Sequence, residues 1–104
     1  MQVGCTAAAA AAFVSKPQDR VAGVRALVEK AGGTLHSMDY CFGEYDVMIM
    51  ASVPDDATMT AISLLVSAQG HVRCIHTTPL MSPEAFMSAQ QKAHGMTYAA
   101  PTKG

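Results

Sequence analysis

Residues 34–52 read TLHSMDYCFGEYDVMIMAS, and this stretch decides the fold. Two strand-like hydrophobic segments, 34–40 and 45–52, flank the turn-forming residues 41–44 (CFGE). Such a pattern predicts a β-hairpin whose second strand opens with Tyr45 and Asp46. The second segment continues as VMIMA and is apolar on both faces, which is typical of a strand inside a sheet that is covered on both sides.

Upstream of the hairpin, the sequence predicts two helices. Thr6 precedes an alanine run at 7–12, which favours a short capped helix ending near Ser15. The spacing of Ser15 and Gln18, with a proline between them, predicts a capping box that starts a second helix there. Its apolar face consists of Val21, Val24, Leu27, Val28 and Ala31. The pair Gly32-Gly33 ends it.

Downstream of the hairpin, the pattern predicts a helix, a strand and a last helix. Asp55 caps the third helix and Gly70 ends it. Its buried stripe is Met59, Ile62, Leu65 and Val66. Residues 71–78 alternate as in a half-buried strand, with Val72, Cys74 and His76 on one face and Arg73, Ile75 and Thr77 on the other. Ser82 starts the last helix, and Gly95 stops it.

This order of elements predicts one α+β domain over residues 1–95 and a flexible C-terminal tail over 96–104. It is the split βαβ pattern of a ferredoxin-like sandwich with an antiparallel sheet, whose first strand is short or missing. Both helices of such a fold lie on one side of the sheet. We expect a second, identical sheet to cover the other side, which gives a dimeric α/β barrel.

The chain resembles the GYD family, named for a glycine, tyrosine, aspartate signature that Gly43, Tyr45 and Asp46 match here. The resemblance covers roughly residues 2–87. It also includes residues 16–20 (KPQDR), 28–33 (VEKAGG), 42–46 (FGEYD), 53–55 (VPD) and 77–80 (TTPL). It implies the dimeric α/β barrel fold and no particular reaction. Family members begin with a longer first strand, whereas only residues 2–6 remain here.

Composition narrows the classes of partner. Half of the 104 residues are hydrophobic and only 14% are charged, which favours burial of surface in a homodimer. The net charge of −1 gives no basic patch for nucleic acid or anionic lipid. No apolar run approaches the roughly 20 residues that span a bilayer, and the alanine-rich start lacks the basic residues of a secretory signal. We therefore expect a cytoplasmic protein that binds neither nucleic acid nor membrane.

Candidate chemical groups cluster at the hairpin. Gly43 and Asp46 have a structural role in the prediction, because glycine supplies a positive φ angle and Asp46 can accept backbone N–H groups. The catalytic candidates are Tyr45, Asp46, His36 and His76, whose side chains can donate or accept protons. Tyr45 and Asp46 are predicted to face opposite sides of their strand.

Methionine is unusually frequent, with eight residues. His36, Met38 and Tyr40 are predicted to share one strand face, and Met48 and Met50 one face of the next strand. The ligand-binding candidates are therefore Tyr45, Met48, Met50 and His36. With Cys74 or His76 they could make a soft site for Cu(I) or haem. A methionine-rich core is the favoured interpretation, so no metal and no cofactor are assigned. Three cysteines without C-x-x-C spacing predict reduced thiols.

Three functional hypotheses follow. The first is a homodimeric, non-catalytic module that binds a small molecule or serves assembly, because no convergent catalytic set is visible. The second is a cofactor-independent enzyme of the oxygenase or isomerase type. The third is haem or copper handling through methionine and histidine. The sequence leaves open whether the protein is an enzyme.

Overall fold

The computed structural model describes residues 1–102. Four strands form one antiparallel sheet in the order β2-β3-β1-β4. The strands are β1 (Gln2–Cys5), β2 (Thr34–Tyr40), β3 (Val47–Ser52) and β4 (Val72–His76). The helices are α1 (Ala7–Ser15), α2 (Val21–Lys30), α3 (Asp56–Ala68) and α4 (Pro83–His94). This topology confirms the predicted ferredoxin-like α+β fold.

The first strand is short but pairs with both of its neighbours. Gln2 lies opposite Met48 of β3 and His76 of β4. The backbone of Met1 extends the pairing, since its amino group donates to the Ile49 carbonyl at 2.7 Å and its carbonyl accepts the Ile49 N–H at 2.8 Å. The four-residue strand therefore leaves a continuous sheet rather than a gap.

The helix starts agree with the sequence at α1 and α3 but not at α2. Thr6 Oγ1 accepts the Ala9 N–H at 3.2 Å, as an N-cap does. The predicted capping box of Ser15 and Gln18 is wrong, because Ser15 is the last residue of α1 and its hydroxyl bonds to the Ala12 carbonyl. The second helix begins at Val21, whose N–H bonds to Asp19 Oδ1 at 2.9 Å.

The core lies between the sheet and the helices. Its buried strand residues are Val3, Leu35, Val47 and Ile49. Each of α1, α2 and α3 adds one buried residue, and these are Ala9, Val28 and Ile62. The predicted buried stripe of α3 is therefore too wide. Leu65 is 51% exposed, because the helix turns only the Ile62 side fully onto the sheet.

Both edge strands contain a register shift that changes which side chains share a face. In β2 the shift lies between Leu35 and Ser37, so Met38 pairs with Ile49 on the helix side. The prediction that His36, Met38 and Tyr40 share one face is wrong. His36 Nε2 lies 2.7 Å from the hydroxyl of Ser52, whereas Met38 packs against the core. One extra residue is enough to reverse the alternation.

In β4 the shift lies opposite Gly4 and Cys5. Val72 pairs with Cys5, while Ile75 pairs with the buried Val3, so Val72 and Ile75 share the helix side. The predicted placement of Val72 with Cys74 and His76 is therefore wrong. Cys74 and His76 remain on the opposite surface, which we call the open face.

The C-terminal region divides into a helix and a segment without regular structure. Ser82 caps α4 by accepting the Ala85 N–H at 3.0 Å, and the helix ends before Gly95. Residues 96–102 form neither helix nor strand, and the last part of the predicted tail, residues 103–104, lies outside the described residues. Within residues 1–102, no helix is both long enough and apolar enough to cross a membrane.

Candidate functional site

The hairpin turn places the signature residues Gly43, Tyr45 and Asp46 at one end of the sheet, and Asp46 lies beside β1. Gly43 has φ 120°, a conformation that favours glycine. The turn is closed by the Cys41 N–H, which donates to the Asp46 carbonyl at 2.9 Å. The Cys41 thiol donates to the Tyr45 carbonyl at 3.2 Å. Phe42, at the tip, is fully exposed.

Asp46 ties the turn to the first strand. Its Oδ2 accepts the Cys5 N–H at 2.7 Å, and its own N–H donates to the Val3 carbonyl at 2.9 Å. The Arg73 guanidinium lies 3.8 Å from the same carboxylate. The aspartate of the signature therefore joins β1, the turn and β4 at one point.

Gly4 makes room for the Arg73 side chain. A Cβ atom at Gly4 would lie 2.6 Å from Arg73 Cζ and 2.7 Å from Cys74 Sγ. Across this gap the guanidinium donates to the Glu44 carbonyl, and it also approaches Cys74 Sγ at 3.4 Å. The shift in β4 and the missing side chain at Gly4 together allow one arginine to reach the turn.

Tyr45 contacts His76 on the open face. Their ring centroids lie 6.4 Å apart with an interplanar angle of 63°, an edge-to-face contact. Both Tyr45 and Asp46 precede β3, which begins at Val47, so the strand alternation used to separate them does not apply. Three of the four catalytic candidates are thus held near one end of the sheet. The fourth, His36, lies with Ser52 at the far end of the β2–β3 pair.

The methionine candidates divide between the two surfaces of the sheet. Met48 and Met50 lie on the open face, each 45% exposed, whereas Met38 packs on the core. Among residues 1–102, no three histidine, cysteine or acidic side chains are grouped closely enough to hold a metal ion. Met38 is thus separated from Met48 and Met50, whereas a copper or haem site that combines these two methionines with histidine stays a prediction.

A cavity of about 590 Å³ lies between the sheet and the first three helices. Apolar residues from each layer line it, including Val24, Leu27, Met38, Ile49, Ile62 and Val66. Periodicity predicted inward faces for the helix residues of this lining, but it does not show how closely the helices approach the sheet. The predicted ligand-binding residues Tyr45, Met48, Met50 and His36 do not line this cavity.

A second, more open cavity of about 880 Å³ lies at the hairpin end. It adjoins the first cavity, with which it shares the lining residues Cys5, Phe13, Gln18, Tyr40 and Val47. Its polar residues are Thr6, Gln18, Asp19, Asp46 and Arg73. Of the four catalytic candidates, Asp46 alone lines either of these two cavities within the described part of the chain. Burial, followed by the charge of Asp46, raises the pKa of the Cys5 thiol, which disfavours the nucleophilic thiolate.

Comparison with known proteins places the chain in one family. No curated protein and no solved structure matches it. The GYD domain family matches residues 1–89 of the 104-residue chain, a region that contains all four strands and the first three helices. The chain therefore belongs to the GYD domain family.

Proposed function

We propose that this protein is a non-catalytic, homodimeric module that holds a small apolar molecule between its sheet and its helices. The observation that carries the proposal is the cavity of about 590 Å³ on the helix side of the sheet. Ligand sites typically occupy about 300–1,000 Å³, are mostly apolar and have a few polar groups that orient the ligand. This cavity meets each of these criteria.

The second cavity adds charged groups to the polar residues Gln18, Arg20, Gln69 and His71 that line the first. Asp19, Asp46 and Arg73 line the open cavity, while Val24 and Ile62 line the apolar interior. A molecule that enters from the hairpin end would place its polar part near these charged side chains and its apolar part against Val24 and Ile62. Because two of the three charged groups are acidic, the entrance favours a neutral or cationic polar part.

The homodimer is proposed from the open face. Met48 and Met50 are neighbours there at 45% exposure, and no helix within residues 1–102 buries them. A second copy of the sheet would bury both methionines, and flexible thioether side chains adapt to an imperfectly complementary surface.

The three free cysteines, Cys5, Cys41 and Cys74, support a reducing compartment and hence the cytoplasm as the site of action.

The enzyme hypothesis has less support from the site. Tyr45 and His76 meet edge to face, which buries ring surface without linking the phenol to the imidazole. Asp46 accepts a backbone N–H and faces Arg73, contacts that stabilise the fold. A catalytic role for Tyr45, Asp46, His36 or His76 stays a prediction, as does haem or copper handling.

The test measures occupancy of the cavity. Native mass spectrometry of the protein from its own host reports the subunit count and any retained molecule. In parallel, the neutral fluorescent apolar probe N-phenyl-1-naphthylamine is titrated into the purified protein and two variants. Val24→Phe fills the cavity from α2, whereas Val14→Phe makes the same change at a site on α1 that is 83% exposed.

We expect saturable probe binding that Val24→Phe weakens by about tenfold and Val14→Phe leaves unchanged. Circular dichroism establishes that both variants are folded. Equal binding by the wild-type protein and Val24→Phe would show that the probe sits elsewhere and would remove the main support for the proposal. Absence of saturable probe binding together with absence of a retained molecule would have the same consequence.

A further inference from the structure

Every residue of helix α4 is exposed in the part of the chain that the structure describes. None of its twelve residues, all within the described part of the chain, is buried. Phe86 is 57% exposed and Met87 54%, and the preceding segment exposes Leu80 and Met81 at 72% and 67%. We call residues 80–94 the C-terminal arm. It carries four large apolar side chains that have no covering surface in a single chain.

The sequence of α4 is that of an amphipathic helix with a narrow apolar stripe. Phe86, Ala89 and Ala93 follow one another at spacings of three and four, while Glu84 and Ser88 lie on the other side. Caps and charges favour the helix, with Ser82 at its start and Lys92 in its last turn. An isolated helix of this length is nevertheless marginal in water, because most helix stability comes from packing of the apolar face.

The chain also exposes more surface than a compact protein of its size. A compact monomer of 10.9 kDa exposes about 5,600 Å², whereas this chain exposes 7961 Å², about 2,400 Å² more. The radius of gyration is 18.5 Å, compared with about 13 Å for a compact chain of 104 residues. Stable homodimers bury about 1,000–2,500 Å² per subunit. The surplus, to which the exposed segment 96–102 also contributes, is therefore large enough to include a subunit interface.

The same chain offers a matching surface on α3. Leu64 and Leu65 are 68% and 51% exposed, and α3 has no charged residue after Asp56. Leu65 also lines the ligand cavity, whereas Leu64 does not, so the side chain of Leu64 is free to meet another helix. The apolar stripe of α4, in which Phe86 is the largest side chain, likewise has no charge. Two uncharged helix faces on one sequence are suited to pack against each other between two copies.

We propose that the C-terminal arm of each protomer packs on α3 of a second copy, with Phe86 against Leu64, so that two copies exchange arms reciprocally. This contact lies outside the sheet faces, and it adds helix-to-helix packing to the homodimer proposed above. It uses that dimer but not its ligand, so ligand binding and arm exchange can fail separately.

The experiment combines sedimentation equilibrium with hydrogen–deuterium exchange on the full chain. Three variants are compared with the wild-type protein. Phe86→Glu places a charge in the stripe of α4, and Leu64→Glu places one on the receiving surface of α3. Ser88→Glu is the matched control, because it adds the same charge two residues away on the polar side of α4.

We expect a wild-type dimer in which the amides of 83–94 exchange more slowly as protein concentration rises. Phe86→Glu and Leu64→Glu should each weaken dimerisation by about thirtyfold, the factor that a central interface residue carries. Both should abolish the slow exchange of 83–94, while Ser88→Glu stays within about twofold of wild type. Slow exchange of β3 amides in every variant shows that the fold is retained.

Four outcomes would overturn the inference. A wild-type monomer with a protected arm would show that the arm packs on its own chain. A dimer that Phe86→Glu leaves intact would place the interface elsewhere, on the open face, and would preserve the homodimer while removing the arm. An effect of Phe86→Glu without one of Leu64→Glu would reject α3 as the receiving surface. Arm protection that appears only after phosphatidylcholine vesicles are added would identify a lipid surface instead.

Discussion

Replacing Asp46 by alanine tests whether the signature aspartate acts through the fold. The carboxylate accepts the Cys5 N–H at 2.7 Å and faces the Arg73 guanidinium at 3.8 Å. A hydrogen bond to a charged group contributes about 1.5–3 kcal/mol. Because the Asp46 side chain is 43% exposed and the ion pair is equally open to solvent, the pair adds at most about 1 kcal/mol. We therefore expect Asp46→Ala to lower the free energy of unfolding by about 2 kcal/mol.

Thermal and urea unfolding at one fixed protein concentration measure this loss, because dimerisation makes the midpoint depend on concentration. The expected shift in Tm is about 10 °C. Asp46→Asn keeps an acceptor for the Cys5 N–H and should lose about half as much. Asp39→Ala removes an exposed carboxylate from the neighbouring strand β2 and should change stability by less than about 0.5 kcal/mol.

The reasoning is refuted if Asp46→Ala is as stable as Asp39→Ala. That result would mean that the Cys5 N–H finds water or another acceptor at no cost when the carboxylate is removed. Because the variant would then keep its full stability, the result would point to a role of Asp46 in binding. Native mass spectrometry of the same variant separates the two explanations, since a purely structural role leaves the retained molecule unchanged.

Two further substitutions probe the junctions around the sheet. Gly33→Ala would drive a Cβ atom into the Ser52 carbonyl oxygen, and we expect a loss of about 2–3 kcal/mol in urea unfolding. At Gly95 the nearest atom to an added Cβ is 3.7 Å away, so Gly95→Ala should lower the free energy of unfolding by less than about 0.5 kcal/mol. Equal losses in the two variants would show that the Cβ clash at Gly33 does not destabilise the protein. The Thr58 hydrogen bonds lower the pKa of Asp55, so its stabilisation is present at neutral pH and is lost as pH falls through that lowered pKa. Asp55→Asn should therefore show a shallower fall of Tm between about pH 5 and about pH 2 than the wild-type protein, and identical slopes would argue against the assignment.

Local signals predicted the elements well because their causes are local. Thr6, Asp55 and Ser82 each accept a backbone N–H at the start of a helix, as short polar side chains do at such positions. Gly32, with φ 88°, follows the end of α2 as expected. The wrong start predicted for α2 also comes from a local signal. The Ser15–Gln18 spacing fits a capping box, but α1 continues through Ser15 and occupies that position.

Strand faces were predicted less well, since they depend on pairing between strands. A single added residue at His36 or Arg73 leaves no mark on composition, yet it reverses the alternation beyond it. The same limit explains why Met38 was predicted to share a strand face with His36. Periodicity predicted that Val24 and Ile62 point inward. It could not predict the cavity between the helices and the sheet, because the distance between these layers is known only from the three-dimensional structure.

The two register shifts have a consequence for how copies of this chain avoid aggregation. They occur in β2 and β4, which are the two edges of the sheet. An edge strand with regular spacing offers unpaired N–H and C=O groups to any other chain, and a bulge twists the edge so that a second strand cannot continue the ladder. Removal of Arg73 or His36 would straighten an edge. The protein would then be exposed to open-ended strand addition, the route to fibres, rather than limited to closed assemblies.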